Sequence, residues 1–413
     1  MFRFSRPPVD FYKAKHGRSI VWWEQTMVCR HQTIVCSGQT MVCCHQTIMA
    51  PADDKAKSAF YMQKTMKRMP DNQTSRPLRL VIDDKIPYIR GEAEKIGHCT
   101  YLPGGKISAA DVRDADILIV RTRTRCDKQL LDGSSVRFIA TATIGYDHLD
   151  TGYLAEAGIS WANCPGCNAN SVAQYVVACL LRLEMAGRLT LREARVGIVG
   201  VGHVGRAVER AVSALGCTVL RNDPPRAEHE AGFVTLSELW DEADVLTFHT
   251  PLTYDGPYAT YHLVDEALLS RLPARRPVLI NSGRGEVVDN AALLRHADNF
   301  RALILDTWEG EPEINRQLLA RTFIGTPHIA GYSADGKANG TRMALEAVAQ
   351  HFRLPLQFCV APPELPETYA YNPAVTPPCE ALRRYDPLRD SEALKNNPEA
   401  FERLRGAYPL RRE

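Results

Sequence analysis

A glycine-rich turn between a strand and a helix constrains the fold of this chain more than any other feature. The segment RVGIVGVGHVGRAVERAVSAL combines an apolar strand, the turn GVGHVG at residues 200–205 and an amphipathic helix. Gly200 permits the tight turn, Gly202 lets a ligand approach the backbone, and Gly205 allows close packing of helix and strand. The helix then presents unpaired N–H groups to an anion, so the pattern predicts a site for a dinucleotide pyrophosphate.

Strand-like and helix-like segments alternate on both sides of this turn. Before it, LRLVID and ADILIVR are typical of buried strands, and PYIRGEAEKIG between them predicts a helix that ends at Gly97. After it, ADVLTFHTP, RPVLINSGRG and FRALILDTWEG each contain a further apolar strand. Alternation of this kind predicts parallel sheets with helices on both faces, and here it predicts two successive α/β units.

The identity of the dinucleotide is indicated by an acidic residue after the second strand of this unit. Asp223 follows Gly200 by 23 residues, where a carboxylate holds the ribose hydroxyls and repels a 2′-phosphate. We therefore predict NAD as the cofactor in preference to NADP. Arg226, three residues later, keeps the NADP alternative open.

Composition restricts the class of partner and the compartment. Hydrophobic residues make up 45%, charged residues 24%, and the net charge is +2, which is ordinary for a globular protein. We expect no nucleic-acid or membrane partner, and we expect a cytoplasmic location. The twelve cysteines are read as free thiols. The single CxxC at Cys164 and Cys167 has no second pair to complete a metal site, so no metal is predicted.

The two ends of the chain differ from its middle. QTMVCRH, QTIVCSG and QTMVCCH repeat in tandem near the N-terminus, without the three–four spacing of a coiled coil, and we expect poor order up to about Pro77. The C-terminal tail is proline-rich and ends in a short helix, with Asn397 as its cap, Pro398 in its first position and Gly406 at its end. The tail is too small to hold a core alone and is expected to cover another surface.

Three residues with the character of a catalytic group follow later strands in the order arginine, glutamate and histidine. Arg284 lies in INSGRGEVVDN, Glu311 in LDTWEGEP and His328 in TPHIAGY. Ligands bind at the carboxyl ends of strands in open α/β sheets, which is where all three are predicted to lie. Singly, each could be an ordinary surface or core residue, but together they indicate an active site.

At these residues the chain resembles the D-2-hydroxyacid dehydrogenase superfamily. The resemblance spans 78–346 almost continuously, and CNA, TYDGPY and HIAGY separate this chain from the phosphoglycerate dehydrogenase-like branch. It implies a Rossmann-type NAD domain plus a second, flavodoxin-like α/β substrate domain, with a short C-terminal tail. It also implies oxidation of a phosphorylated 2-hydroxy acid by a homodimer. The predicted ranges are 1–77 for the N-terminal extension, 78–175 completed by 330–354 for the substrate domain, 176–329 for the NAD domain, and 355–413 for the tail, a candidate dimerisation segment.

The resemblance also assigns roles by position. Arg284 would grip the substrate carboxylate, His328 would remove the C2 hydroxyl proton, and Glu311 would orient and charge-stabilise His328. The substrate contacts implied are Thr122, Thr143 and Tyr332. The cofactor contacts implied are Gly200, Gly202, His203, Val204, Gly205, Asp223, Thr250, Ser282, Gly283, Arg284, Asp306 and Gly331. Gln174 stands where the resemblance has a glutamate, and we expect this difference to affect none of these roles.

Three arginines in ILIVRTRTRCD remain to be explained. In an extended chain, Arg121, Arg123 and Arg125 would share one face. A phosphorylated substrate needs a cation besides Arg284, so we predict that Arg121 or Arg125 meets the phosphate, while Arg123 is solvated or bridges domains. The rival interpretations are a basic strand end in water, a related dehydrogenase acting on 3-phosphoglycerate or glyoxylate, and a non-catalytic NAD-sensing scaffold.

Overall fold

The first parallel sheet is built from the short apolar segments that precede the glycine-rich turn. The computed structural model describes residues 76–364 and 378–413. Its first sheet comprises β1 (Leu78–Asp83), β2 (Gly97–Leu102), β3 (Ile117–Val120), β4 (Phe138–Thr141) and β5 (Ser160–Ala162). All neighbours are parallel and the order is β2-β1-β3-β4-β5. This is the flavodoxin-like order, as predicted.

Short helices connect these strands: α1 (Ala109–Val112), α2 (Lys128–Leu131) and α3 (Thr151–Ala157). The predicted helix before Gly97 is wrong, because only a 3₁₀ turn forms at Ala93–Lys95. Gly91 has a φ of +86°, which interrupts a right-handed helix, and Gly97 already begins the edge strand β2. A Cβ at Gly97 would lie 2.2 Å from the Leu78 carbonyl oxygen, so only glycine fits there.

A long buried helix, α4 (Ala169–Met185), leads from the first sheet to the second. The second sheet comprises β6 (Arg195–Val199), β7 (Thr218–Asn222), β8 (Val245–Phe248), β9 (Val278–Asn281), β10 (Ala302–Leu305) and β11 (Ile324–Gly325). Its order is β11-β10-β9-β8-β6-β7, and every pair is parallel. The order reverses between β6 and β8, which makes this junction the expected ligand crevice of a doubly wound sheet.

The helices of the second sheet are α5 (His203–Ala214), α6 (Pro224–Ala227), α7 (Leu236–Glu242), α8 (Glu266–Leu269), α9 (Asn290–His296) and α10 (Arg316–Arg321). Side-chain oxygens cap α6, α7, α8, α9 and α10, whereas the N-cap residue of α5 is Gly202, which has no side chain to cap it. The exception is the helix that follows the glycine-rich turn. Its first N–H groups are therefore left for another acceptor.

The chain then returns to the first sheet and afterwards covers the second. Helix α11 (Ala334–His351) contributes Leu345 and Val348 to the apolar cluster that contains Leu80 and Ile117. The tail forms α12 (Pro378–Arg384), α13 (Pro387–Asn396), a 3₁₀ turn at Pro398–Ala400 and α14 (Phe401–Gly406). Leu394 and Phe401 of the tail join the core cluster of the second sheet, which confirms that the tail covers another surface.

The N-terminal repeats and the cysteines were the subject of two further predictions. The N-terminal repeats lie outside the described residues, so their predicted poor order stays a prediction. The eight cysteines that the structure describes are all free, as expected. Burial raises the pKa of Cys167 to about 11 and that of Cys164 further, so neither thiol of the CxxC is poised as a thiolate. No helix in the described part of the chain is long and apolar enough to cross a membrane.

Candidate active site

The glycine-rich turn lies at the crevice between β6 and β8. Gly200 has a φ of +84°, and a Cβ there would lie 2.9 Å from the His249 carbonyl group after β8. A Cβ at Gly205 would lie 2.1 Å from the Gly200 carbonyl oxygen. A Cβ at Gly202, in contrast, would meet no atom of the described residues within 4 Å. Two glycines thus permit close backbone packing, while the third faces open space.

The surroundings of this turn fit a bound dinucleotide. His203 and Val204 form the first turn of α5, whose N-terminus has no side-chain cap. The hydroxyl oxygens of Thr250 and Ser282 are buried without a hydrogen-bond partner among the described residues. Unpaired buried hydroxyls are costly, so these two groups are available to polar atoms of a ligand. Gly283 follows Ser282 at the same sheet edge.

Asp223 connects the glycine-rich turn to the strand end beside it. Its carboxylate accepts a hydrogen bond from the Val201 N–H (2.8 Å) and caps α6 through the Arg226 N–H (3.3 Å). The Arg226 guanidinium bonds to the Val201 carbonyl and to Glu230. Because the Arg226 guanidinium is already bonded to protein groups, it is not poised to bind a 2′-phosphate. The carboxylate of Asp223 is therefore the main charge expected to meet the ribose.

His328 and Glu311 form a hydrogen-bonded pair. His328 Nδ1 lies 2.8 Å from Glu311 Oε2, and the side chains are 29% and 16% exposed. Burial alone would raise the pKa of Glu311, but the His328 charge, its hydrogen bond and the Trp308 N–H hold that pKa below its ordinary value. The carboxylate is therefore ionised, and it fixes the Nδ1–H tautomer that leaves Nε2 free for proton transfer.

The backbone at His328 is held in an uncommon conformation. Its φ is +57°, in the left-handed region that non-glycine residues rarely adopt. The His328 N–H donates to the Asp306 carbonyl oxygen (2.8 Å), and the Asp306 carboxylate accepts from the N–H groups of Ile329 (2.7 Å) and Ala330 (2.9 Å). These bonds stabilise the turn that aims the imidazole.

The predicted contact of Asp306 with the cofactor stays a prediction, and the structure shows how its carboxylate is bonded within the protein. Asp306 is fully buried, and its carboxylate already accepts from the Thr326 hydroxyl (2.7 Å) and two backbone N–H groups. Through these bonds Asp306 positions the segment that carries His328.

Arg284 lies at the end of β9, facing the first sheet. Its Nη1 donates to the Gly283 carbonyl oxygen (3.0 Å), and its Nη2 lies 3.4 Å from a carboxylate oxygen of Asp147. The Arg284 side chain is 30% exposed and that of Asp147 is 69% exposed. A long ion pair with an exposed partner is weak, so the guanidinium is available to a substrate carboxylate. Asp147 had not been singled out in the sequence.

The two threonines predicted to contact the substrate differ in their hydrogen bonds and in their exposure. The Thr143 hydroxyl donates to the Gly145 carbonyl oxygen (2.9 Å) and contacts Thr141, which bonds to His148. Burial is the main cause that lowers the pKa of His148 to about 4, so this imidazole is neutral at pH 7. Thr122 is exposed at a turn.

The turn at Thr122 also corrects the extended arrangement of the arginines. The Thr124 N–H donates to the Arg121 carbonyl oxygen, so the chain bends and the three arginines diverge. Arg121 makes two 3.0 Å bonds to buried Asp83. Arg123 pairs with Glu402 of the tail, which confirms the bridging alternative. Arg125 is 82% exposed and pairs with Asp127.

The last residues of the chain brace the turn that follows His328. The buried Arg411 donates to the carbonyl oxygens of Ile329 (3.1 Å) and Tyr332 (2.8 Å) and to the Gln174 side chain (2.8 Å). A further bond joins Gln174 to the Arg412 carbonyl (2.9 Å). Gln174 therefore bonds to the tail residues Arg411 and Arg412, and the expectation that its difference from glutamate affects none of the assigned roles stays a prediction. The tail sequence offered only its density of arginines as a signal.

Gly331 lies within this braced turn. A Cβ there would lie 2.2 Å from Asn168 Nδ2, which donates to the Gly331 carbonyl oxygen. Tyr332 follows, with its ring facing Lys337 and Tyr408. Lys337 and Arg405 also lie near Tyr332, and the sequence patterns predict no role for either.

Comparisons with known proteins agree with this geometry. The family described as "D-isomer specific 2-hydroxyacid dehydrogenase, NAD binding domain" matches residues 180–330. An NAD-bound 3-phosphoglycerate dehydrogenase from Entamoeba histolytica shares the fold, with a TM-score of 0.58 and 24% identity over 69% of this chain and 99% of that one. The protein is an NAD-dependent 2-hydroxyacid dehydrogenase.

Curated relatives give the particular family. Erythronate-4-phosphate dehydrogenase of Bacteroides thetaiotaomicron is 48% identical over 81% of this chain and 97% of its own length. The enzyme of the same name from Porphyromonas gingivalis is 45% identical over 81% and 94%. The chain belongs to the erythronate-4-phosphate dehydrogenase family within the D-2-hydroxyacid dehydrogenases.

Replacing Asp223 with alanine is expected to weaken NADH binding about 10- to 100-fold and to narrow the preference over NADPH. The substitution removes both a charged acceptor and the charge that repels a 2′-phosphate. Fluorescence titrations with each nucleotide measure the effect. Asp265→Ala is the matched control, because Asp265 also caps a helix through Leu268 N (2.9 Å). An unchanged nucleotide preference in Asp223→Ala would place discrimination elsewhere.

Proposed function

We propose that the protein oxidises 4-phospho-D-erythronate to 3-hydroxy-2-oxo-4-phosphooxybutanoate with NAD, as a step of pyridoxal 5′-phosphate (vitamin B6) biosynthesis. The observation that carries this proposal is the His328–Glu311 pair, which with Arg284 follows the carboxyl ends of strands in one parallel sheet, in a chain 48% identical to a relative of that name. The pair supplies a base, and Arg284 supplies an accessible cation for a carboxylate.

In the proposed reaction the substrate carboxylate displaces Asp147 from Arg284. The planar guanidinium holds the carboxylate and polarises the C2 oxygen. His328 Nε2 takes the C2 hydroxyl proton while the C2–H bond breaks, and the C2–O bond becomes a carbonyl. Glu311 stabilises the imidazolium that forms. NAD, when bound, supplies the hydride acceptor.

The contacts of this chain with NAD are also proposed. The N–H groups of the α5 N-terminus would hold the pyrophosphate, and Asp223 would hold the ribose hydroxyls. The buried hydroxyls of Thr250 and Ser282 would donate to polar atoms of the cofactor. Thr143 and Tyr332 would contact the substrate. A homodimer and a cytoplasmic location stay predictions, of which light scattering tests the first.

The decisive assay follows NADH absorbance after adding 4-phosphoerythronate, 3-phosphoglycerate or glycolate, the reduced partner of glyoxylate, to the protein with NAD. We expect the highest kcat/KM with 4-phosphoerythronate. A higher value with either other acid would assign a different substrate. No NADH with any of them, together with tight NAD binding, would favour the sensing scaffold.

Replacing Glu311 with glutamine is expected to move the rising limb of the oxidation pH–rate profile to lower pH. The base must be deprotonated to accept the hydroxyl proton, and the ionised carboxylate favours its protonated form. Loss of that negative charge therefore lowers the apparent pKa of the profile. The profile of kcat/KM against pH tests this, with Glu313→Gln as a nearby control. An unshifted limb would argue against the pairing.

A further inference from the structure

The ammonium group of Lys337 lies against the Tyr332 ring, and none of the described carboxylates pairs with it. Lys337 is in the first turns of α11, and its Nζ lies 4.1 Å from the centre of the Tyr332 ring. Across 76–364 and 378–413, no carboxylate lies within ion-pair distance of this ammonium. The nearby ring attracts the cation but supplies no compensating charge.

Two arginines from distant parts of the chain face the same region. Arg405 of α14 lies beside the Tyr332 side chain, and its Nη1 is 3.7 Å from Glu311 Oε2. Arg121, after β3, is held by Asp83 through Nε and Nη2. Burial is the main cause that lowers the pKa of Lys337, and the charges of Arg121 and Arg405 lower it further. Lys337 is therefore close enough to each of the two arginines to be repelled by its charge.

The nearby acidic groups compensate only part of this charge. Asp83 pairs with Arg121. Glu311 and Glu402 lie 3.7 and 3.8 Å from Arg405, but Glu311 also pairs with His328 and Glu402 also pairs with Arg123. The Arg405 Nε is buried and has no hydrogen-bond partner in the described part of the molecule. Unmatched donors and excess positive charge are both relieved by an anion with several acceptor oxygens.

We propose that Lys337, Arg121 and Arg405 form the subsite for the phosphate group of the substrate. The proposal rests on the proposed function, since it assigns the second anionic group of that substrate. Arg284 takes the carboxylate, and a phosphate dianion with three terminal oxygens suits a cluster of three cations. Of the two arginines predicted for this role, Arg121 is retained. Arg125 points to solvent with Asp127 as its partner.

The test measures selectivity for the phosphate group. Lys337→Met, Arg121→Gln and Arg405→Gln are each assayed on 4-phosphoerythronate and on erythronate, which lacks the phosphate. We expect kcat/KM on the phosphorylated acid to fall about 10- to 100-fold, relative to the change on erythronate, because each loses a charge-assisted contact. Inorganic phosphate should act as a competitive inhibitor of the wild type, and its inhibition constant should rise by a similar factor in each variant.

Control variants distinguish the loss of a positive charge from the loss of the folded state. Lys128→Met removes an exposed lysine and should alter neither ratio. Lys337→Arg keeps the charge and should retain most of the selectivity, and thermal melts establish that each variant is folded. If Lys337→Met does not fold, inhibition of Arg121→Gln by inorganic phosphate decides the question.

The outcomes distinguish the subsite from the reaction. A wild-type enzyme without activity on 4-phosphoerythronate overturns the proposed function itself. A wild type that prefers the phosphorylated acid, with variants that lose activity equally on both acids, overturns only the subsite. A selective loss in Arg125→Gln, with none in Arg121→Gln, would also overturn it and move the phosphate toward Arg125.

Discussion

Replacing His328 with alanine is expected to lower kcat by about 10²- to 10⁴-fold, because a positioned acid–base group contributes a factor of that size. NADH affinity should stay near that of the wild type, since the imidazole is assigned to proton transfer and not to holding the dinucleotide. Steady-state assays of NADH formation measure kcat, and a fluorescence titration measures the affinity for NADH.

His229→Ala is the matched control for this prediction, because His229 is 80% exposed. Its kcat should equal that of the wild type. A His328→Ala enzyme with near wild-type turnover would remove His328 from the chemistry. Loss of NADH binding together with turnover would instead indicate that the substitution had disturbed the turn held by Asp306.

Replacing Arg411 with methionine is expected to cost at least about 3 kcal/mol of unfolding free energy. Arg411 is 8% exposed and donates to the carbonyl oxygens of Ser171 (3.0 Å), Ile329 (3.1 Å) and Tyr332 (2.8 Å). Each buried carbonyl left without a donor costs about 1–3 kcal/mol. For domains of 150–250 residues, 3 kcal/mol corresponds to a Tm lower by roughly 6–12 °C.

The same substitution should also lower kcat, because the turn that Arg411 braces begins one residue after His328. Denaturant titration, a thermal melt and the NADH assay measure these effects. Arg403→Met, an exposed arginine on the same tail, is the control and should change neither quantity. Wild-type stability and turnover in Arg411→Met would show that the tail is not part of the active-site framework.

Local patterns predicted the framework of the site well. GVGHVG is readable because a strand, a turn and a helix are adjacent in the chain, and the turn needs glycine at Gly200 for steric reasons. Arg284, Glu311 and His328 each follow an apolar segment. Parallel strands align their carboxyl ends, so this placement brings the three residues to one edge. The error before Gly97 arose because Gly91 interrupts a helix-like composition.

What the sequence by itself determined is therefore the two parallel sheets, the cofactor turn and the set of residues that lie at the strand ends. Tertiary structure alone decided that Arg405 lies near Glu311, that Arg411 and Asp306 brace the backbone around His328, and that Arg121 faces inward while Arg125 faces solvent. The physical reason is that these outcomes depend on contacts between segments far apart in the chain. Arg411 lies 240 residues from Ser171, to whose carbonyl it donates. No local periodicity records such a partner, because only packing of the tail against both α4 and the His328 turn brings the two groups together.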